Sequence, residues 1–170
     1  NIQEKVDAAS VSLAEERGAC PDAADYGIKE RFSNKTAIAP TASISIICGG
    51  SSPGIEPIAA NSFTHKTLSG SFNVRNKYLK KILNKYEKDT DEVWSTITTN
   101  QGSVSHLDFL TNEEKDTFKT AFEIDQRWVV ELGADRTPHI SQAQSINVFV
   151  PADIHKKELH DIHFQAWKKG

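Results

Sequence analysis

The stretch that most restricts the fold runs from Ala39 to Pro57. Its apolar centre, Ile44-Ser45-Ile46-Ile47-Cys48, is fenced by Pro40 on one side and by Gly49-Gly50-Ser51-Ser52-Pro53-Gly54 on the other. The β-branched residues favour a strand, yet Pro40 cannot donate to a central ladder and would end the pairing. Thr41 or Ser43 could instead cap a helix whose boundary the proline marks. We read a strand to about Ala39, a tight turn over Pro40 to Ser43, and then a short buried helix or apolar run closed by the glycine-rich loop.

A turn of small residues entering a helix exposes several backbone N–H groups at the positive end of the helix dipole, a ready cradle for an anion. Pro40-Thr41-Ala42-Ser43 has that form, with hydroxyls beside the amides and side chains short enough for phosphate oxygens to approach the backbone. No Gly-Lys-Ser/Thr follows, so this is not a Walker motif. The plain alternative is an ordinary helix start.

The rest of the chain alternates helical and extended patterns. Ile2, Val6, Ala9 and Leu13 form an apolar stripe that stops at Gly18, and Gly18 to Asp22 reads as loop. Tyr78, Leu79, Ile82, Leu83 and Tyr86 share one face of a helix whose lysines form its solvated side. Thr111-Asn112-Glu113-Glu114 is a capping box that opens a helix carrying Phe118, Phe122, Val129 and Leu132, with Gly133 as its stop. Ile146, Val148 and Val150 alternate with polar neighbours as in a strand ended by Pro151. Asp153 can cap a last helix carrying Leu159, Ile162, Ala166 and Trp167. The order helix, strand, helix, helix, strand, helix favours a mixed α/β architecture.

Composition removes several classes. With 38% apolar and 25% charged residues over 170 positions, the chain is neither fibrous nor disordered. A net charge of −3 provides no basic field for nucleic acid or anionic lipid, so neither partner is expected. No apolar run approaches the roughly 20 residues of a membrane span. There is no Met, and the start at Asn1 lacks the features of a signal peptide, from which we expect a processed or partial chain. The two cysteines, Cys20 and Cys48, make no metal motif and no disulfide framework; a reducing, cytoplasmic setting follows, with each thiol a small buried hydrophobe.

Other chemistry is thinly represented. His160 and His163 lie one turn apart, but no HExxH accompanies them, and His155 falls on another face of the same helix; no metal site is expected. Ser43, Ser45, Ser51 and Ser52 lack a GxSxG elbow and a placed His or Asp, which argues against a hydrolase. Asp89, Asp91 and Glu92 read as a solvated loop cluster.

Several blocks carry a family resemblance. Ala39-Pro40-Thr41-Ala42-Ser43 followed by Ser52-Pro53-Gly54-Ile55-Glu56-Pro57 resembles the signature of the large, catalytic α subunit of class I ribonucleotide reductase. Thr67-Leu68-Ser69-Gly70-Ser71-Phe72, Gln142-Ala143-Gln144-Ser145-Ile146-Asn147 and His163-Phe164-Gln165-Ala166-Trp167-Lys168-Lys169-Gly170 are similar to later blocks in the same order. The resemblance implies part of a ten-stranded α/β barrel, with residues 1–170 a partial catalytic barrel domain in the second half-barrel, truncated at both ends. It also implies that Thr41, Ala42, Ser43, Ile44 and Ser45 bind the substrate diphosphate, in agreement with the cradle above. Hydroxyls would help at Thr41 and Ser43, and backbone N–H groups alone at Ala42 and Ile44.

By the same resemblance the parent enzyme reduces ribonucleoside diphosphates to deoxyribonucleoside diphosphates by thiyl-radical chemistry. The radical cysteine, its Asn and Glu partners and the reducible cysteine pair would precede Asn1, and the radical-relay tyrosines would follow Gly170. No catalytic residue or cofactor is therefore expected within this segment, neither Cys20 nor Cys48 takes a redox role, and the segment alone should not turn over. The parent would be a homodimer that draws its radical from a small β subunit, responds to ATP and dNTP effectors, and is re-reduced by thioredoxin or glutaredoxin. The alternative is a non-catalytic phosphate-binding or structural module of the same fold.

Overall fold

The computed structural model of the chain describes all residues except Gly50, Ser51 and Ser69, and omits the side chain of Thr67. The loop expected over Gly49 to Gly54 and the block from Thr67 to Phe72 thus fall partly outside the described residues.

Helix α1 (Ile2–Arg17) is capped by the Asn1 side chain, which accepts from the Gln3 amide at 3.0 Å, and ends at Gly18 with φ of 83°. Its buried face is not the expected stripe. Ser10 and Ala14 are buried, whereas Ile2 and Ala9 are exposed. The rotation has a polar cause: the Ser10 hydroxyl accepts from the amides of Arg31 (3.1 Å) and Phe32 (3.3 Å), which draws that face against the returning chain. The expected loop at Cys20 to Asp22 instead enters helix α2 (Pro21–Asp25), with Pro21 in the first turn where its missing N–H is not needed.

Thr36 to Ile38 then runs parallel to Gln142 to Ser145. Gln142 N donates to Thr36 O (3.0 Å), Ile38 N to Ala143 O (3.3 Å) and Ser145 N to Ile38 O (2.8 Å). This pairing amounts to one isolated bridge, Ile38 to Gln144, so the strands expected near Ala39 and over Gln144 to Val150 shrink to this contact among the described residues. Beyond it the extended segment gives its amides to side chains, Asn147 N to Glu56 and Phe149 N to Gln126 Oε1 (2.9 Å).

After helix α3 (Ala42–Ile47) comes a hairpin that the sequence reading missed. β1 (Ser62–Thr67) pairs antiparallel with β2 (Gly70–Arg75), in register from Ser62 opposite Arg75 to Thr67 opposite Gly70. Helix α4 (Lys77–Lys85) follows directly, capped by Asn76, and α5 (Asp91–Thr99) packs on it. Leu79 and Leu83 meet Trp94, Ile97, Val104, Leu107 and Leu110 in the main hydrophobic core, with the lysines of α4 exposed as expected. Asp89, Asp91 and Glu92 are not a loop cluster. Asp89 accepts from the Trp94 indole at 2.7 Å, Asp91 pairs with Arg75 at 2.7 Å, and Asp91 and Glu92 occupy the first turn of α5, where carboxylates complement the exposed amides.

The helix expected from Thr111 to Gly133 is broken. The capping box forms as read, but α6 (Asn112–Thr117) is short, a 3₁₀ turn covers Ala121–Glu123, and α7 (Arg127–Arg136) begins afresh. Tertiary hydrogen bonds outcompete the helix here. Asn61 donates to Phe118 O (2.7 Å), Ala121 N donates to Ile58 O (2.9 Å), and Gln126 Nε2 donates to Ala121 O (2.6 Å) and Ile124 O (2.9 Å). Gly133 lies inside α7 rather than after it, and Ile146 Cδ1 would stand 2.9 Å from a Cβ there. A 3₁₀ turn over Thr137–His139 leads to the parallel contact, and α8 (Lys156–Lys168) closes the chain against α7. Its cap is His155, not Asp153; the imidazole accepts from Lys157 N at 3.2 Å. Among the described residues no helix is long and apolar enough to cross a membrane.

Candidate anion-binding site

The turn at Pro40 to Ser43 does enter a helix. Thr41 is the N-cap of α3, but its side chain makes no cap hydrogen bond. Both its N–H (2.9 Å) and its hydroxyl (3.0 Å) donate instead to Pro53 O. The amides of Ala42, Ser43 and Ile44, the first turn of α3, consequently find no acceptor among the described residues. All three residues are exposed. Ser45 differs: it is 8% exposed, and its hydroxyl donates to Ala42 O at 2.7 Å. Of the five residues singled out in the sequence, three therefore present unpartnered backbone donors, Thr41 fixes the turn, and the Ser45 proton is committed inside the helix.

The helix is not the buried one expected. Ile44, Ile46 and Ile47 are exposed, Ile47 at 84%. Beside α3 lies a mainly apolar cavity of about 630 Å³, bounded by Ala42, Ser45, Ile46, Ile58, Phe63 and Val74. Lys77 at the start of α4 donates to Gly49 O (2.6 Å), where a cation complements the carboxyl end of α3.

The remaining candidates do not assemble. Among the described residues no three of His, Cys, Asp and Glu stand close enough to hold a metal. His155 is a helix cap, His160 stacks on Phe164 at 5.6 Å, and the His163 ring lies 2.8 Å from Leu159 O. Cys20 is half-buried, but Cys48 is exposed at the end of α3, against the expectation of a buried thiol; the exposed helix carries it out with it. The sequence reading also missed the supports of the turn, the Pro53 carbonyl and the Glu56 and Asn147 pair. Glu56 and Asn147 stand in two of the family blocks without a role, and the Pro53 carbonyl has no letter of its own.

Residues 21–170 match the ribonucleotide reductase barrel domain. The chain belongs to that family. The ribonucleoside-diphosphate reductase large subunit of Invertebrate iridescent virus 6 is 47% identical over 173 residues, spanning 99% of this chain and 18% of the viral protein. That of Invertebrate iridescent virus 3 is 43% identical, spanning 99% of this chain and 27% of the relative. The class Id ribonucleotide reductase α subunit of Actinobacillus ureae superposes with a TM-score of 0.85 at 36% identity, over 99% of this chain and 30% of that one. The α/β fold is thus part of the ribonucleotide reductase barrel, and the chain spans between about a fifth and a third of these relatives' length.

Proposed function

We propose that this chain works as part of a ribonucleotide reductase large subunit, which reduces ribonucleoside diphosphates to their deoxy forms, and that the turn from Thr41 to Ser45 holds the substrate diphosphate through the amides of Ala42, Ser43 and Ile44. What carries the reading is the set of amides at Ala42, Ser43 and Ile44, exposed and without an acceptor among the described residues. Hydrogen bonds from such amides to phosphate oxygens are charge-assisted and worth about 1.5–3 kcal/mol each. The Ser43 hydroxyl adds a further donor. Fixing the phosphates places the ribose, so the segment contributes orientation rather than bond-breaking.

Radical chemistry falls to groups that the family resemblance does not match to any residue of this chain. Neither Cys20 nor Cys48 supplies it. A small radical-generating subunit, nucleotide effectors, thioredoxin or glutaredoxin, a second copy of the large subunit and a cytoplasmic setting complete the proposal.

The test is nucleoside diphosphate binding by the whole large subunit with and without Ser43→Pro. Proline is tolerated in a first turn and deletes the Ser43 amide together with its hydroxyl. Affinity should fall about tenfold or more. Unchanged affinity in the folded variant would overturn the assignment.

A further inference from the structure

The chain between Thr36 and Glu56 is held from both sides by one short extended segment. On the amino-terminal side, Thr36 and Ile38 exchange the backbone hydrogen bonds described above with Gln142, Ala143 and Ser145. On the carboxyl-terminal side, Glu56 Oε1 accepts from both the backbone N–H and the carboxamide Nδ2 of Asn147, the latter at 3.1 Å. The described residues between 36 and 56 therefore form an arch whose two feet stand on Gln142 to Asn147, with the first turn of α3 between them.

Within the arch the links run from Glu56 back to the exposed amides. Glu56 Oε2 lies 2.2 Å from where a Cβ on Gly54 would stand, so the carboxylate is laid directly against the Gly54 backbone. The residue before it, Pro53, offers the carbonyl that takes both donors of Thr41, and Thr41 caps α3. Glu56 is 5% exposed, yet every hydrogen bond described for its carboxylate comes from one residue. A buried carboxylate held by so few donors is a poor source of stability, since desolvation offsets most of the gain. Its value lies in direction: it sets where the Pro53 carbonyl stands, and so where the amides point.

We propose that Glu56 is a positioning residue for the diphosphate cradle, holding the first turn of α3 in its anion-accepting geometry through Gly54 and the Pro53 carbonyl. The proposal rests on the reading of Thr41 to Ser45 as that cradle. Glu56 itself takes no phosphate contact, as a carboxylate beside phosphate would repel it.

The experiment compares dissociation constants of the whole large subunit for a nucleoside diphosphate and for the matching monophosphate, with thermal stability measured alongside. In Glu56→Ala the diphosphate should bind about tenfold more weakly, the scale of loss that follows displacement of a positioned group, while the monophosphate changes much less. Glu56→Gln retains a carbonyl for the Asn147 donors and should recover most of the preference. KM should follow the dissociation constant with kcat nearly unchanged. A folded Glu56→Ala with the diphosphate preference intact, with both nucleotides weakened equally, or without rescue by Gln would overturn the proposal. Should Glu56→Ala fail to fold, Gly54→Ala crowds the same carboxylate without deleting it, and an unchanged preference there would be equally decisive. Ser43→Pro in the same assay separates the two readings. If it leaves diphosphate affinity intact, the cradle itself falls; if it lowers affinity and the Glu56 variants do not, only the positioning role falls.

Discussion

Asn61, at 4% exposure, has every hydrogen-bonding group engaged. Its N–H and Nδ2 both donate to Gly102 O (3.1 and 3.0 Å), Nδ2 donates also to Phe118 O (2.7 Å), Oδ1 accepts from Asn76 Nδ2 (2.8 Å), and its carbonyl accepts from Asn76 N (2.9 Å). The residue joins the start of the hairpin to the cap of α4, the loop after α5 and the end of α6. Asn61→Ala should cost about 2 kcal/mol by orphaning buried partners. Asn61→Asp should cost more at neutral pH, because a carboxylate would then face two carbonyls, and the difference should narrow on acidification; urea unfolding of both variants checks this. Gly102 opposite has φ of 82°, and a Cβ there would stand 2.3 Å from Ala60 Cβ and 2.6 Å from its Cα. Gly102→Ala should therefore destabilise by ~3 kcal/mol, read as a lowered urea midpoint. Little of this could be read from the sequence, because the side-chain partners of Asn61 lie 15, 41 and 57 residues away. The Thr111 and Glu114 box was readable because its partners are three residues apart.

Range in sequence matters among the elements too, though the local β1–β2 hairpin was missed. α3 stood open between a short helix and an apolar run, and α1, α4 and α8 were expected from their own periodicity. The break between α6 and α7 was not, because Ile58 and Asn61 cause it from across the fold. That break holds a second capping box, Thr120 with Glu123. Both box carboxyls lie below the usual carboxylate range. For Glu114 the Thr111 amide is the main cause, helped by the Tyr86 hydroxyl at 3.0 Å; for Glu123 burial pushes upward, but the Ser103 hydroxyl and the Thr120 amide and hydroxyl outweigh it. A carboxyl that is more acidic in the folded state stabilises fully above its unfolded pKa of about 4.3, and that contribution is lost as pH falls through the folded value. Replacing both by Gln should lower stability at neutral pH and flatten its decline below about pH 4.3, a difference visible in thermal unfolding across that range.

Over the whole molecule the packing is uneven. The principal core is built from Leu79 to Leu110, whereas among the described residues of the first seventy only Ala14 and Ala23 are buried apolar side chains. Hydrogen exchange should therefore find the strongest protection in α4 and α5 and the weakest in α2 and α3. Much apolar surface is left open: Ile44, Ile46 and Ile47 on α3, Phe63 and Phe72 on the hairpin, and Trp128 and Trp167 on α7 and α8, the last at 74%. Surface of this kind marks contact faces, which suits a piece of a barrel. The chain on its own should bind an apolar fluorescent dye and self-associate with rising concentration, and Trp167→Glu should reduce both without changing thermal stability.

The parallel contact between Ile38 and Gln144 joins positions more than a hundred residues apart. Closing so long a loop is entropically costly and slows folding, so α4 and α5, whose partners are near in sequence, can settle long before it does. During synthesis the arch has nowhere to stand until Asn147 has emerged. The stretch proposed to grip substrate is thus made early and shaped last, and a ribosome that stalls before that point would leave a well-formed core beside a turn that cannot bind.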